Sequence, residues 1–124
     1  MTDFELLDSS VWLDYFHNQG YKEIIESDKI ILTSSLSLFE IKKKLIGDKE
    51  KIEKIKKSLD FIKIRSIIKD LNSDIAEKAA EISSEKKLPS ADSIIYTTAL
   101  LNNAILITFD NDFRNLNNAR VLER

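Results

Sequence analysis

The feature that most constrains the fold is a continuous apolar run, AILIT, at Ala104–Thr108. A run of this length is typical of a strand buried on both faces, and such strands belong to parallel sheets that helices cover on each side. Four further short apolar runs alternate along the chain with longer segments of helical periodicity. This alternation predicts an α/β protein with a mainly parallel five-stranded sheet flanked by helices.

The predicted elements fill most of the 124 residues. Strands are expected at Phe4–Leu7, Lys29–Leu32, Ile62–Ser66, Ala104–Thr108 and Arg120–Leu122. Helices are expected at Ser10–Asn18, Tyr21–Glu26, Ser35–Leu45, Lys49–Phe61, Asn72–Lys86 and Pro89–Asn103. The chain shows no repeat, linker or low-complexity segment, so residues 1–124 are expected to form a single domain.

The composition excludes several kinds of site. The chain has no cysteine, which excludes disulfides, zinc–thiolate sites and iron–sulfur clusters. Its one histidine, His17, cannot form a polyhistidine metal site, and two glycines are too few for a Walker phosphate loop or a dinucleotide-binding turn. A metal held by this chain would therefore need oxygen ligands, which favour Mg²⁺, Mn²⁺ or Ca²⁺.

Charge and the amino-terminal sequence indicate where the protein acts. The formal net charge of −2 would not steer the whole molecule towards nucleic acid, so any such contact needs a local basic surface. The first ten residues show neither a basic start nor a long apolar stretch, and no apolar run approaches the roughly 20 residues that cross a bilayer. We expect no signal peptide, no membrane association and a cytoplasmic location.

Acidic residues follow the predicted strands at the edge where ligands bind in open α/β sheets. Asp8 follows the first strand and Asp110 follows the fourth. Asp92, in the first turn of the last helix, and Glu40, about two turns into the third, can approach the same edge, with Asp112 at its margin. Carboxylates crowded together repel one another unless protons or a cation compensate them. The pattern suggests a divalent metal site suited to phosphodiester hydrolysis.

Each of these acids also has a purely structural explanation. Asp8 and Asp110 can serve as helix caps or turn residues. Asp92 is favoured in a first helical turn by the helix dipole alone. Glu40 can form an ion pair with Lys44 one turn further along. The residues by themselves leave both interpretations open.

Three segments together resemble PIN domains in order and spacing across nearly the whole chain. The first block is LLDSSVWLDYF, an aspartate after an apolar strand, followed by two small polar residues and an apolar helix. The second is LTSSLSLFEIKKKL, a strand leading to a helix that carries a glutamate. The third and most specific is LPSADSIIYTTALLNNAILITFDNDFRNL, which ends in a Thr-x-Asp-x-Asp-Phe turn. The length is that of the VapC-like toxins of toxin–antitoxin pairs.

The resemblance implies a three-layer α/β/α fold and a metal-dependent endoribonuclease. The metal ligands it implies are Asp8, Glu40, Asp92 and Asp110, with Asp112 as an auxiliary acid and Ser10 and Thr108 as supporting residues. It also implies Mg²⁺ or Mn²⁺ as the cofactor, single-stranded RNA as the substrate, a cognate antitoxin as the partner and a homodimer. Two rivals remain open: a non-catalytic PIN-like module that binds RNA or protein, and a response-regulator-like signalling domain. The serines after Asp8 disfavour the second rival.

Residues 42–57 contain eight lysines and three acids. Lys42, Lys43 and Lys44 are candidates for contact with RNA phosphates. The same segment can instead be the solvated face of a helix, or the rim of an apolar groove that receives an antitoxin helix.

Three aromatic residues in the first helix, Trp12, Tyr15 and Phe16, are expected to pack in the core or against a second copy rather than to stack on bases. His17 is expected to be a surface residue, since no nucleophile motif accompanies it.

Overall fold

The computed structural model describes residues 4–124. Within these residues, five strands form one sheet: β1 (Phe4–Leu7), β2 (Ile30–Ser34), β3 (Ile67–Lys69), β4 (Ala104–Thr108) and β5 (Ala119–Val121). The helices of this part of the chain are α1 (Ser9–Asn18), α2 (Lys22–Ile25), α3 (Ser35–Gly47), α4 (Ile52–Arg65), α5 (Ser73–Lys86) and α6 (Ser90–Leu101).

The strand order is β3-β2-β1-β4-β5, and every neighbouring pair runs parallel. β1 is central, with Leu6 opposite Leu32 of β2 and Leu106 of β4. Parallel pairing brings the carboxyl ends of β1 and β4 side by side at one edge of the sheet. The predicted α/β fold with its parallel sheet is confirmed.

Adjacent residues of the central strands point to opposite faces of the sheet, as the two-residue period of a strand requires. Leu7 and Ile107 belong to a core cluster with α1, α2, α3 and α4, whereas Leu6 and Leu106 belong to a second cluster with α5 and α6. Helices thus cover both faces, which confirms the three-layer architecture and explains why AILIT is apolar throughout.

The predicted strand at Ile62–Ser66 is wrong, because α4 continues to Arg65 and β3 begins only at Ile67. The alternation of isoleucines in this stretch resembles a strand, but Ile62 is fully buried while Ile64 is 85% exposed. A strand would have placed both isoleucines on the same face. The Arg65 guanidinium, at the end of α4, donates hydrogen bonds to the carbonyl of the last residue of α2 and to two carbonyls of the loop before β2.

Other differences are shifts at element ends. β2 begins one residue later than predicted and extends to Ser34, and β5 begins at Ala119 rather than Arg120. Pro89 lies at the cap before α6 rather than inside its first turn.

Within residues 4–124, no helix combines the length and apolar character that crossing a bilayer requires.

Candidate active site

Two acidic residues follow the adjacent carboxyl ends of β1 and β4. Asp8 comes directly after β1, and its N–H donates to the carbonyl of Ile107 at 3.0 Å, which continues the parallel pairing by one residue. Asp110 comes two residues after β4. The parallel pairing of β1 and β4 thus places Asp8 and the segment that carries Asp110 at the same edge of the sheet.

The hydroxyl of Thr108 connects the two acids. It donates to Asp8 Oδ2 at 2.7 Å and accepts a hydrogen bond from the N–H of Asp110 at 3.0 Å. The side chain is fully buried, so its hydrogen bonds are shielded from water. Thr108 therefore connects the Asp8 carboxylate to the backbone that carries Asp110.

The Asp8 carboxylate is also held by the start of α1. The N–H of Ser9 donates to Asp8 Oδ1 at 2.7 Å, which makes Asp8 the amino-terminal cap of the helix. The hydroxyl of Ser10 lies 3.4 Å from Asp8 Oδ2 and accepts from the N–H of Phe109 at 3.3 Å. Asp8 is thus both a cap and a member of the acidic group, so the two interpretations of its role are compatible.

Among residues 4–124, three acids lie close enough together to share one ion. One carboxylate oxygen each from Asp92, Asp110 and Asp112 lies within 4.8 Å of the others. Asp92 is in the first turn of α6, as predicted. Asp110 caps the short 3₁₀ helix Asn111–Phe113 by accepting from the N–H of Asp112 at 2.8 Å. The resemblance implies only an auxiliary role for Asp112, yet its carboxylate lies with those of Asp92 and Asp110.

The charges of four other acids act on Asp92. Burial, and after it the charges of Asp110, Asp8, Asp112 and Glu40, raise the pKa of Asp92 from its ordinary value of 3.8 to about 7. A carboxyl with such a pKa takes up a proton far more readily than an ordinary aspartate, because a further negative charge in this cluster is unfavourable.

The pKa values of Asp8 and Glu40 are also raised above their ordinary values. Burial raises the pKa of Asp8, the charge of Asp110 adds to this, and hydrogen bonds from Thr108 and Ser9 oppose it. Burial and the charge of Asp8 raise the pKa of Glu40, which a hydrogen bond with Ser9 partly opposes. Ser9 thus interacts with both acids.

The contacts of Glu40, Trp12 and His17 distinguish between the roles that the sequence leaves open for them. Lys44 pairs with Asp48 at 3.3 Å, and within residues 4–124 no ion pair of Glu40 is found. Trp12 is fully buried, and it stacks on Phe16 in the core, as expected. His17 is exposed, 4.0 Å from a Glu50 carboxylate oxygen, and takes no part in the acidic cluster.

The donor set of the cluster matches the chemistry of a hard divalent cation. Its side chains supply carboxylate oxygens, which Mg²⁺ and Mn²⁺ prefer. A bound cation would also offset the mutual repulsion that raises the pKa of Asp92. The residues present therefore fit a site for a hard divalent cation.

Comparison with known families agrees with this geometry. A family model described as the PIN domain matches residues 6–119. The chain belongs to the PIN domain family. The match runs from the second half of β1 to the start of β5 and so includes Asp8, Glu40, Asp92, Asp110 and Asp112. Among curated proteins, none matches the sequence significantly.

Solved structures share the fold of this PIN domain. A toxin–antitoxin complex from Klebsiella pneumoniae superposes with a TM-score of 0.80 at 23% identity, covering 94% of this chain and 96% of the other. VapBC2 from Rickettsia felis, bound to a DNA fragment from its promoter, gives 0.76 at 22% identity, covering 97% of each chain. The VapC20 toxin of Mycobacterium tuberculosis, described as cleaving the sarcin–ricin loop, gives 0.65 at 17% identity, with coverage of 87% and 91%.

Sequence reasoning did not assign a role to Ser9. Its backbone N–H and hydroxyl both face Asp8, at 2.7 Å and 3.4 Å from Oδ1. Of the serine pair after Asp8, the resemblance singles out only Ser10. The general preference for a short polar residue next to a helix cap is the signal in the sequence that could have included Ser9.

Proposed function

We propose that this PIN domain is a metal-dependent endoribonuclease that cleaves phosphodiester bonds of single-stranded RNA and serves as the toxin of a toxin–antitoxin pair. The observation that supports the proposal is the close approach of Asp92, Asp110 and Asp112. Burial and the charges of Asp110, Asp8, Asp112 and Glu40 together raise the pKa of Asp92 to about 7. Such a concentration of negative charge opposes RNA binding on its own, so it favours a role in holding cations.

Asp8, Glu40, Asp92 and Asp110 are the proposed metal ligands, and the position of Asp112 supports adding it to them. When bound, Mg²⁺ or Mn²⁺ would lower the pKa of a water molecule and stabilise negative charge on a phosphoryl oxygen. The reaction would be an in-line attack of water on phosphorus with departure of one ribose oxygen. Asp8 is held for this task by Thr108 and the start of α1, and Asp110 by its cap on the 3₁₀ helix.

The toxin assignment is supported by family membership together with the nature of the structural relatives. The Klebsiella and Rickettsia structures are toxin–antitoxin assemblies, and the Mycobacterium protein is described as a toxin that cleaves the sarcin–ricin loop. Their coverage extends over nearly all of this chain. We extend the proposal to homodimer formation and to a cognate antitoxin as the inhibitor.

A groove between α3 and α4 suits an antitoxin helix. Apolar side chains of Ile46, Ile52, Ile55 and Leu59 line it, and lysines border it. An amphipathic helix with acidic flanks would match both features. Co-expression with the product of the adjacent reading frame should give a stable complex that no longer cleaves RNA; failure of that product to bind would remove this part of the proposal.

The function is tested with purified protein and a labelled single-stranded RNA. We expect cleavage with Mg²⁺ or Mn²⁺, none with EDTA, and none by Asp8→Asn with an unchanged circular dichroism spectrum. The matched control is Asp74→Asn, which alters an exposed acid in the first turn of α5 and should cleave normally. Full activity of Asp8→Asn would contradict the proposal. Absence of both cleavage and divalent-ion stabilisation in the wild type would favour a non-catalytic RNA- or protein-binding module.

A further inference from the structure

Phe39 is an exposed aromatic residue beside the acidic cluster. It immediately precedes Glu40 on α3, and 61% of its surface is accessible to solvent. It belongs to neither core cluster, unlike the aromatic residues of α1. A single exposed apolar side chain is common on protein surfaces and by itself indicates nothing. Phe39 differs from such residues because Lys43 and the proposed metal ligand Glu40 lie beside it.

The ammonium group of Lys43 lies 5.8 Å from the centroid of the Phe39 ring. This distance is within the range of a cation–π interaction, which holds the flexible lysine beside the ring. Within residues 4–124, Lys43 takes no ion pair, and neither does Lys42. Lys44, by contrast, is neutralised by Asp48. Lys43 therefore presents an uncompensated positive charge next to an aromatic surface.

These side chains share one open depression with a proposed metal ligand. Phe39, Glu40, Lys43 and Lys44 line it, and it ends at the carboxyl terminus of α3 with Gly47 and Asp48. A chain that leaves the acidic cluster past Glu40 would meet the Phe39 ring and the Lys43 ammonium group together. An aromatic face combined with a cation is the arrangement by which proteins hold unpaired nucleotides.

We propose that Phe39 and Lys43 form a nucleotide subsite, in which a base of single-stranded RNA stacks on Phe39 while Lys43 contacts the adjoining phosphate. This inference rests on the proposed function, since it assigns the path of the RNA outside the acidic cluster. Charge complementarity and continuity with Glu40 favour RNA over a protein partner here. The subsite accepts any base, because every base offers a face for stacking.

The two side chains make different contributions, so two variants distinguish them. Phe39→Ala should weaken RNA binding roughly 5- to 100-fold at all salt concentrations, since stacking does not depend on counterions. Phe39→Trp should retain affinity. Lys43→Ala should weaken binding and also lower the slope of log affinity against log salt concentration by about 0.7, the value for one contact to a single-strand phosphate.

The test uses the full chain in an Asp8→Asn background with Mg²⁺, so that the RNA stays intact. Fluorescence anisotropy measures binding of labelled 12-residue oligouridylate and oligoadenylate between 50 and 300 mM salt. Matched controls are Ile64→Ala, another exposed apolar residue, and Lys22→Ala, an exposed lysine of α2 without an ion pair among residues 4–124. Both controls should bind as the background protein does.

Unchanged RNA affinity of Phe39→Ala would overturn the subsite. Unchanged affinity together with altered self-association in gel filtration would assign Phe39 to a protein contact and would also overturn it. A uniform loss of affinity in the controls and variants alike would do the same. Cleavage by the Asp8→Asn protein tests the proposed function separately, so the failure of one proposal is distinguishable from the failure of the other.

Discussion

Replacing Asp92 by asparagine should stabilise the metal-free protein at neutral pH while abolishing RNA cleavage. The folded-state pKa of Asp92 is about 7, against an ordinary value of 3.8. A carboxyl whose pKa rises on folding stabilises the fold where it is protonated, and this contribution is lost as the pH rises through the folded-state pKa. At pH 8 the carboxylate is charged in both states, so the folded state carries the full penalty of the crowded charges.

The magnitude follows from the same two pKa values. At about 1.4 kcal/mol per pH unit, the difference between 3.8 and about 7 sets an upper bound of about 4 kcal/mol for the penalty at pH 8. Because the side chain is only partly buried, solvent screening reduces this figure. We expect Asp92→Asn to raise the free energy of unfolding by about 1–2 kcal/mol at pH 8 and to leave it nearly unchanged at pH 4.

The assay is urea-induced unfolding followed by circular dichroism at pH 4 and pH 8, with EDTA present. Asp74→Asn is the control, because it changes an exposed acid in the same part of a helix, and its effect should stay within about 0.5 kcal/mol at both pH values. Added Mn²⁺ should stabilise the wild type more than Asp92→Asn. A destabilised Asp92→Asn protein at pH 8, or an equal gain at both pH values, would refute the electrostatic argument.

Three further outcomes follow from the structure. Thr108→Val removes the hydrogen bond to Asp8 and should lower metal affinity or activity about 10- to 100-fold, measured by Mn²⁺ titration and RNA cleavage, whereas Thr108→Ser should retain most of both. Ile62→Ala should destabilise the fold by about 2–5 kcal/mol and Ile64→Ala by less than about 0.5 kcal/mol in urea unfolding; equal effects would indicate a strand rather than the end of α4. The melting temperature of the wild type should rise with Mg²⁺ or Mn²⁺, and more at pH 8 than at pH 5.5, because protons compete with the cation; a pH-independent rise would contradict this.

Much of the fold could be predicted from local patterns of apolar residues in the sequence. The apolar run Ala104–Thr108 predicted β4 with both ends correct, because burial on two faces leaves a simple signature in the sequence. The segment around Ile62 wrongly predicts a strand, because over five residues alternating isoleucines are compatible with both a strand and a helix. Tertiary contacts decide such cases, here the burial of Ile62 and the hydrogen bonds of Arg65.

Only part of the candidate site could be predicted from the sequence. The parallel sheet predicts that Asp8 and Asp110 end up adjacent, since both follow strands. Distances between side chains depend on the loop after β4, whose 3₁₀ helix brings Asp112 closer than its place in the sequence suggests. The exposure of Phe39 could not be foreseen either, because an apolar residue in an apolar-rich helix is expected to face the core.

The central claim is that distant acidic side chains converge to bind a divalent cation. Anomalous X-ray diffraction from crystals grown with Mn²⁺ tests it most directly. We predict an anomalous peak among the carboxylates of Asp8, Asp92 and Asp110, within about 2.3 Å of oxygens from at least two of them. A map without manganese at this sheet edge, with the acids directed away from one another, would contradict the account.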